Sequence, residues 1–126
     1  MQEPTTAPAF TLDHVQLAMP AGREADARAF YCGVLGFVER PKPPELAARG
    51  GAWFANGTVV LHLGVETPFA PARKAHPALR CAAYDALCAR LTACGIAVAD
   101  DPLPFKGKAH CYVADPFGNR IEFIAS

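Results

Sequence analysis

The chain has 126 residues, of which 52% are hydrophobic and 19% are charged, and its formal net charge at pH 7 is zero. A chain of this length is expected to form one domain that buries about two-thirds of the surface its unfolded form exposes. The neutral charge, without a basic stretch, argues against a nucleic-acid-binding surface, and no apolar run approaches the roughly 20 residues of a membrane-spanning helix.

The N-terminal residues lack the basic and apolar blocks of a signal peptide. Five cysteines form an odd number without a C-x-x-C pair: Cys32, Cys81, Cys88, Cys94 and Cys111. This pattern does not indicate a disulfide framework or a zinc ribbon, and it favours thiols that stay reduced. We therefore expect a cytoplasmic protein.

The first half of the chain predicts a strand, a helix and three further strands. Residues 1–9 contain two prolines and are expected to form a flexible N-terminal lead, followed by one domain over 10–125. An alternating strand over 10–19 places His14 and Gln16 on the same face. The predicted elements that follow are a helix over 24–34, a strand over 37–40 and a proline-rich loop over 41–50.

Asn56-Gly57 is the clearest turn signal in the sequence, because it lies between two apolar runs and predicts a tight β-hairpin. With these residues as the turn, Trp53 would pair with Val60. Alternation then separates two sets of side chains: Trp53, Val60 and His62 on one face, and Phe54, Leu61 and Leu63 on the other. Since the leucines are the better core residues, His62 is expected to point away from the helix.

The second half repeats this order. A strand over 76–81, a helix over 84–94 and a strand over 96–99 precede a loop and a final hairpin of strands over 110–114 and 120–124. Neither half could bury all its apolar surface alone, so the two are expected to pack together or against another subunit. The predicted fold class is α+β, with two βαβββ modules over 10–66 and 74–125.

Groups able to bind a metal recur at similar spacing in the two halves. His14 and His62 are 62−14 = 48 residues apart, and His76 and Glu122 are 122−76 = 46 residues apart. Three imidazoles and one carboxylate suit one divalent ion such as Fe, Mn, Co, Ni or Zn. The alternative for any single histidine, and above all for His62, is an ordinary strand side chain.

The segments FYCGVLGF, KAHPALRC and YVADPFGNRIEF resemble the glyoxalase/bleomycin resistance/dioxygenase superfamily, also called vicinal oxygen chelate proteins. The resemblance implies paired βαβββ modules in a half-open barrel, a homodimer and a divalent metal. It also implies metal ligands at His14 and His76 on the first strand of each module and at Glu122 on the last strand. The fourth position, usually glutamate in glyoxalase I proteins, is His62 here, which argues against strict glyoxalase I activity.

The leading hypothesis is a metal-dependent enzyme acting on a small substrate with adjacent oxygens, by lyase or isomerase chemistry or by ring-opening oxygenation. Glu122, His110 and Tyr112 are the candidate catalytic residues. The candidate pocket residues are Trp53, Phe69, Arg80 and Phe105. The alternative is a metal-free protein that sequesters a small molecule, as bleomycin resistance proteins do. A cupin fold is disfavoured, because the chain has no HxH pair and because its two predicted helices are not needed in a jelly roll.

Overall fold

Two four-stranded mixed sheets, each joined to a helix, make up the fold. The computed structural model describes residues 6–126, so that residues 1–5 of the predicted N-terminal lead lie outside the described residues. The elements of the first module are β1 (Val15–Met19), α1 (Glu24–Arg28) with a π-helical continuation (Ala29–Val34), β2 (Val38–Arg40), α2 (Pro44–Ala47), β3 (Ala52–Asn56) and β4 (Val59–Val65). Its sheet has the order β1-β4-β3-β2, with β1 parallel to β4.

The second module repeats this plan without the short α2. Its elements are β5 (Ala78–Cys81), α3 (Tyr84–Ala93), β6 (Ala99–Asp100), β7 (His110–Ala114) and β8 (Arg120–Ala125). The sheet order is β5-β8-β7-β6, with β5 parallel to β8. The predicted α+β fold of two βαβββ modules is therefore confirmed. Among the described residues, no strand pairing joins the two sheets into a closed barrel.

Several element boundaries differ from the sequence prediction. The first strand begins at Val15 rather than at residue 10, because β4 pairs with it only from the Val15–Leu61 pair onward. The predicted loop over 41–50 contains α2, whose Pro44 occupies the first helical turn, where proline is favoured. The strand predicted over 96–99 shrinks to β6, since Ile96 instead closes the end of α3 by donating its N–H to the Leu91 carbonyl.

The β3–β4 hairpin turns one residue later than predicted. Asn56 pairs with Val59, so Gly57 and Thr58 form the turn. Gly57 has φ +59°, as required at the first position of a type II′ turn. Trp53 consequently pairs with His62 instead of Val60. Because the pairing shifts by two residues, every side chain keeps its predicted face.

The helices cover the opposite face of the sheets from His62, as predicted. Phe54 and Leu61 are buried there, and the Phe54 ring stacks on Tyr31 at 5.3 Å between centroids. In the second module, Leu91 of α3 is buried with Ile121 of β8 in the same core. All five thiols are free, and none of the helices over residues 6–126 has the length and apolarity to cross a bilayer.

A buried carboxylate joins the two modules. Asp115, in the turn between β7 and β8, accepts a hydrogen bond from the Tyr31 hydroxyl at 2.7 Å. It also accepts the backbone N–H groups of Phe117 and Asn119 and the Asn119 side-chain amide. The same amide donates to the Ala18 carbonyl of β1 at 2.7 Å. This network fixes the second-module turn against the helix and first strand of the first module.

Candidate functional site

Three aromatic side chains form a stack on the open face of the first sheet. The His62 ring lies 4.1 Å from Trp53 with a 5° angle between planes, and 4.0 Å from His14 with an 18° angle. Pairing of β3 with β4 places Trp53 beside His62, and His14 follows from the segment entering β1. We refer to Trp53, His62 and His14 as the aromatic stack. Strand alternation directs Trp53 and His62 to this face, and His14 reaches it from the position that precedes β1.

The environment of His62 favours its neutral form. Burial lowers the pKa of His62, and the nearby His14 and the charge of Lys42 lower it further, while Asp13 acts in the opposite direction. A neutral imidazole keeps one nitrogen lone pair, which is the form that binds a metal or accepts a hydrogen bond. His14 is more exposed, and its Nδ1 lies 2.8 Å from Asp13.

A second polar group lies on the open face of the second sheet. Glu122 of β8 is buried, and its two oxygens contact two different imidazoles. His76 Nε2 lies 2.9 Å from Oε1, and His110 Nδ1 lies 2.6 Å from Oε2. The other ring nitrogens contact backbone carbonyls: His76 Nδ1 that of Lys74 at 2.8 Å and His110 Nε2 that of Leu103 at 2.7 Å. We call His76, Glu122 and His110 the carboxylate centre.

The pKa shifts in the carboxylate centre favour an ion pair. Burial raises the pKa of Glu122, but the hydrogen bonds of His76 and His110 outweigh it, so the net shift is downward. The pKa of His110 is raised, chiefly by its hydrogen bond to the Leu103 carbonyl and next by its bond to Glu122, with Asp101 contributing a further negative charge. His110 is therefore the cationic partner that holds the Glu122 carboxylate in place.

These shifts predict how stability depends on pH in metal-free protein. The pKa of His110 is raised in the folded protein. His110 therefore contributes fully to the free energy of unfolding at pH values below its ordinary pKa of 6.5, and this contribution is lost as the pH rises through the raised pKa. The pKa of Glu122 is lowered in the folded protein. Glu122 therefore contributes to the free energy of unfolding at pH values above its ordinary pKa of 4.5, and this contribution is lost as the pH falls through the lowered pKa. Thermal unfolding should show the largest advantage of wild type over His110→Gln at about pH 5–6. A difference that is constant from about pH 5 to pH 9 would contradict this assignment.

The donor chemistry of the carboxylate centre fits a divalent cation. In metal-free protein Nε2 of His76 donates to Glu122; a cation that replaced that proton would bind the Nε2 lone pair, while Nδ1 would keep its N–H donated to the Lys74 carbonyl. Metal-binding histidines commonly donate their other N–H to a carbonyl in this way.

The four predicted ligands divide between the two groups. His14 and His62 belong to the aromatic stack, whereas His76 and Glu122 belong to the carboxylate centre. Within residues 6–126, no three or more His, Cys, Asp or Glu side chains are arranged to hold a metal ion. The complete four-ligand set thus stays a prediction. His110, predicted as a catalytic residue, is in direct contact with Glu122.

The other predicted site residues lie at different places around these groups. Tyr112 pairs with Glu122 across β7 and β8, and its ring meets His76 edge-on at 5.4 Å. Arg80 and Phe105 line a cavity of about 740 Å³ that also includes His14, so both modules contribute to its wall. Phe69 instead packs edge-on against Phe117 at 6.5 Å and joins the partly buried residues around the core.

Two residues beside Trp53, Lys42 and Arg49, were not predicted for the site. They belong to the proline-rich segment, which sequence alone predicted only as a loop. Together with Gln16 they line a cavity of about 290 Å³ on the open face of the first sheet. The two basic residues in KPPELAAR were the available signal, but a predicted loop does not specify which face of the sheet its side chains cover.

Comparison with known proteins supports the same class of fold. The model of the Glyoxalase/Bleomycin resistance protein/Dioxygenase superfamily matches residues 11–123. The structure of a glyoxalase family protein from Bacillus anthracis is 45% identical, with a TM-score of 0.91 and coverage of 97% of this chain and 99% of that one. None of the curated proteins matches the chain.

Two further solved structures are more distant. An antibiotic-binding protein from a Streptomyces species is 26% identical, with a TM-score of 0.70 and coverage of 93% of this chain and 98% of that one. A fosfomycin resistance protein from Listeria monocytogenes has a TM-score of 0.74 and covers 94% and 95% of the two chains, but at 15% identity the similarity concerns the fold alone.

The paired modules, with buried polar groups on their open faces, define a glyoxalase-like class of α+β protein. The chain belongs to the Glyoxalase/Bleomycin resistance protein/Dioxygenase superfamily.

Proposed function

We propose that the protein is a divalent-metal-dependent enzyme whose substrate is a small molecule with adjacent oxygens. The observation that carries this proposal is the orientation of His76, with Nδ1 at the Lys74 carbonyl and Nε2 at Glu122. His76 and Glu122 would hold the ion, and His14 and His62 are the predicted additional ligands. Lewis-acid polarisation of a substrate oxygen is the chemistry that a divalent ion supplies in such a site.

The protein residues have separate tasks in this proposal. His110 orients Glu122 through the 2.6 Å contact and, with its raised pKa, carries a proton next to that carboxylate. Tyr112 forms the wall between the two imidazoles, and the Arg120 guanidinium lies 4.1 Å above its ring. Proton transfer between His110, Glu122 and a bound substrate is suited to isomerase or lyase chemistry, while ring-opening oxygenation uses the same chelating arrangement.

The surroundings and assembly are part of the proposal. A reducing cytoplasm would keep the five free thiols reduced. A homodimer, as the superfamily resemblance implies, would bring a second copy of each open sheet face near the site. The oligomeric state is measured by light scattering at several protein concentrations.

Metal binding provides the first test. Calorimetric titration of chelator-treated protein with Mn²⁺, Co²⁺, Ni²⁺ and Zn²⁺, and anaerobically with Fe²⁺, should give one ion per chain for at least one metal. Glu122→Gln and His76→Ala should each weaken that binding by at least about 100-fold, because the first replaces an anionic carboxylate with a neutral amide and the second removes an imidazole nitrogen. His110→Gln should weaken it by about 10–100-fold, since it only orients a ligand.

An exposed carboxylate of the first module provides the control. Glu39 pairs with Arg28 at the surface, so Glu39→Gln should leave metal affinity unchanged. The same titration with His14→Ala and His62→Ala determines whether these two residues complete the ligand set. Full metal occupancy in Glu122→Gln would refute the ligand assignment.

The second candidate function is metal-free sequestration of a small molecule. The aromatic stack favours it, because the outer ring faces at the two ends of this column, those of Trp53 and His14, can stack on a planar ligand without a metal. The antibiotic-binding relative has the same fold at 26% identity. Failure of every metal to bind, together with tight binding of planar compounds by chelator-treated protein, would favour this function over the enzyme.

A further inference from the structure

A cavity of about 290 Å³ adjoins the aromatic stack on the open face of the first sheet. Its floor consists of side chains and backbone from three strands, with Gln16 from β1, Gly64 from β4 and Trp53 from β3. Its wall is the segment 42–50, which contributes Lys42 and Arg49. We call this space the basic cavity.

The wall of the basic cavity is held firmly against the sheet. The Gly51 N–H donates to Glu24 of α1 at 2.9 Å, and the Lys42 ammonium donates to the Gly50 carbonyl. Gly51 has φ +83°, and a β-carbon there would overlap the Leu63 carbonyl of β4. A wall that is already fixed loses little conformational freedom when a ligand binds, which favours affinity.

The floor combines an aromatic surface with a hydrogen-bonding group. The Gln16 side-chain amide lies over Gly64, where a β-carbon would be 2.5 Å from its nitrogen. Gly64 therefore provides the space that lets the amide lie flat on the sheet. Trp53 stacks on His62 and also lines the cavity, so its indole is part of both features.

Positive charge predominates in the basic cavity. Lys42 and Arg49 are among its lining residues, whereas no Asp or Glu is. The nearby Glu24 accepts a hydrogen bond from Gly51, and its pKa is lowered chiefly by that bond. Arg49 forms no ion pair with any carboxylate of residues 6–126. A cationic, partly enclosed site of this kind attracts anions.

We propose that the basic cavity binds a small aromatic carboxylic acid, with the ring against Trp53 and the carboxylate at Lys42 and Arg49. The volume is sufficient, because a cavity of about 150 Å³ holds benzene, and 290 Å³ leaves space for a carboxylate. Arginine matches a carboxylate with two parallel N–H donors. The inference rests on the proposed function in taking the open sheet face as the ligand side, and it specifies the acid group of that ligand.

Intrinsic fluorescence provides a direct test, since Trp53 is the only tryptophan in the chain. Chelator-treated protein is titrated with benzoate, and with benzamide and acetate as the neutral and ringless comparison compounds. Benzoate should change Trp53 fluorescence with a Kd on the order of 1 mM, as expected for a ligand of this size. Benzamide and acetate should each bind at least about tenfold more weakly, and added salt should weaken benzoate binding.

Arg49→Met is the decisive variant, because Arg49 contributes no side-chain hydrogen bond to the described fold. It should weaken benzoate binding about tenfold or more, whereas Lys108→Met, which removes an exposed cation of the second module, should leave it unchanged. Circular dichroism verifies that both variants are folded. Absence of a benzoate response up to about ten times the expected Kd, equal binding of benzamide or acetate, or equal behaviour of the two variants would overturn the proposal. Because the titration needs no metal, its outcome is independent of the metal-binding test.

Discussion

Asp115→Ala should lower the free energy of unfolding by about 3–5 kcal/mol. The carboxylate is buried and accepts four hydrogen bonds: from Tyr31, from Phe117 and two from Asn119. Its removal leaves those donors unpaired in a site that excludes water, where each unpaired group is costly. Since whole domains are stable by about 5–15 kcal/mol, the variant would lose a large fraction of its stability.

Chemical denaturation of Asp115→Ala and three comparison variants measures this effect. Tyr31→Phe removes one hydrogen bond to a charged group and should cost about 1.5–3 kcal/mol. Asp115→Asn keeps one acceptor oxygen and should be intermediate between Tyr31→Phe and Asp115→Ala. Asp85→Ala, at an exposed position in the first turn of α3, should change stability by less than about 1 kcal/mol. A loss in Asp115→Ala no larger than in Asp85→Ala would show that the network does not join the modules.

Gly51→Ala should destabilise the protein by at least about 3 kcal/mol, for two additive reasons. Its φ of +83° is unfavourable for any residue with a β-carbon, at a cost of about 1–2 kcal/mol. The β-carbon would also overlap the Leu63 carbonyl oxygen. This oxygen belongs to the backbone, so it cannot move aside as a flexible side chain could. The wall of the basic cavity would have to separate from β4.

Gly22→Ala is the matched control for Gly51→Ala. Gly22 has φ +80°, almost the same as Gly51, but a β-carbon there has no atom within 4 Å. Only the backbone term should therefore appear in its unfolding free energy. The difference between the two variants isolates the overlap with Leu63, and equal losses would show that this close approach carries no energetic cost. Benzoate binding should weaken in Gly51→Ala and not in Gly22→Ala.

Strand alternation was sufficient to predict the face that each side chain of the β3–β4 hairpin occupies. His62 and Trp53 share the open face, and Phe54 and Leu61 share the covered face, even though the predicted turn was off by one residue. The shift changed the pairing by two residues, so alternation with period two preserved the faces. Likewise, His110 lies near Glu122 because both belong to one short hairpin.

Other features depend on contacts between segments far apart in the chain. The stacking of His14 on His62 requires β1 to pair with β4, and the approach of His76 to Glu122 requires β5 to pair with β8. Lys42 and Arg49 line a cavity with Gln16 of β1 and Gly64 of β4, and Gly51 lies close against the Leu63 carbonyl of β4. No local pattern encodes such distances.

The sequence by itself determined the order of the elements, the duplication and the face of each strand residue, because these follow from periodicities of two and 3.6 residues within short segments. The tertiary structure decided the grouping of the more distant polar side chains: His76 with Glu122, and His14 with His62 and Trp53. The physical reason is that donors separated by dozens of residues come together only when the sheets form and the buried Asp115 network fixes one module on the other.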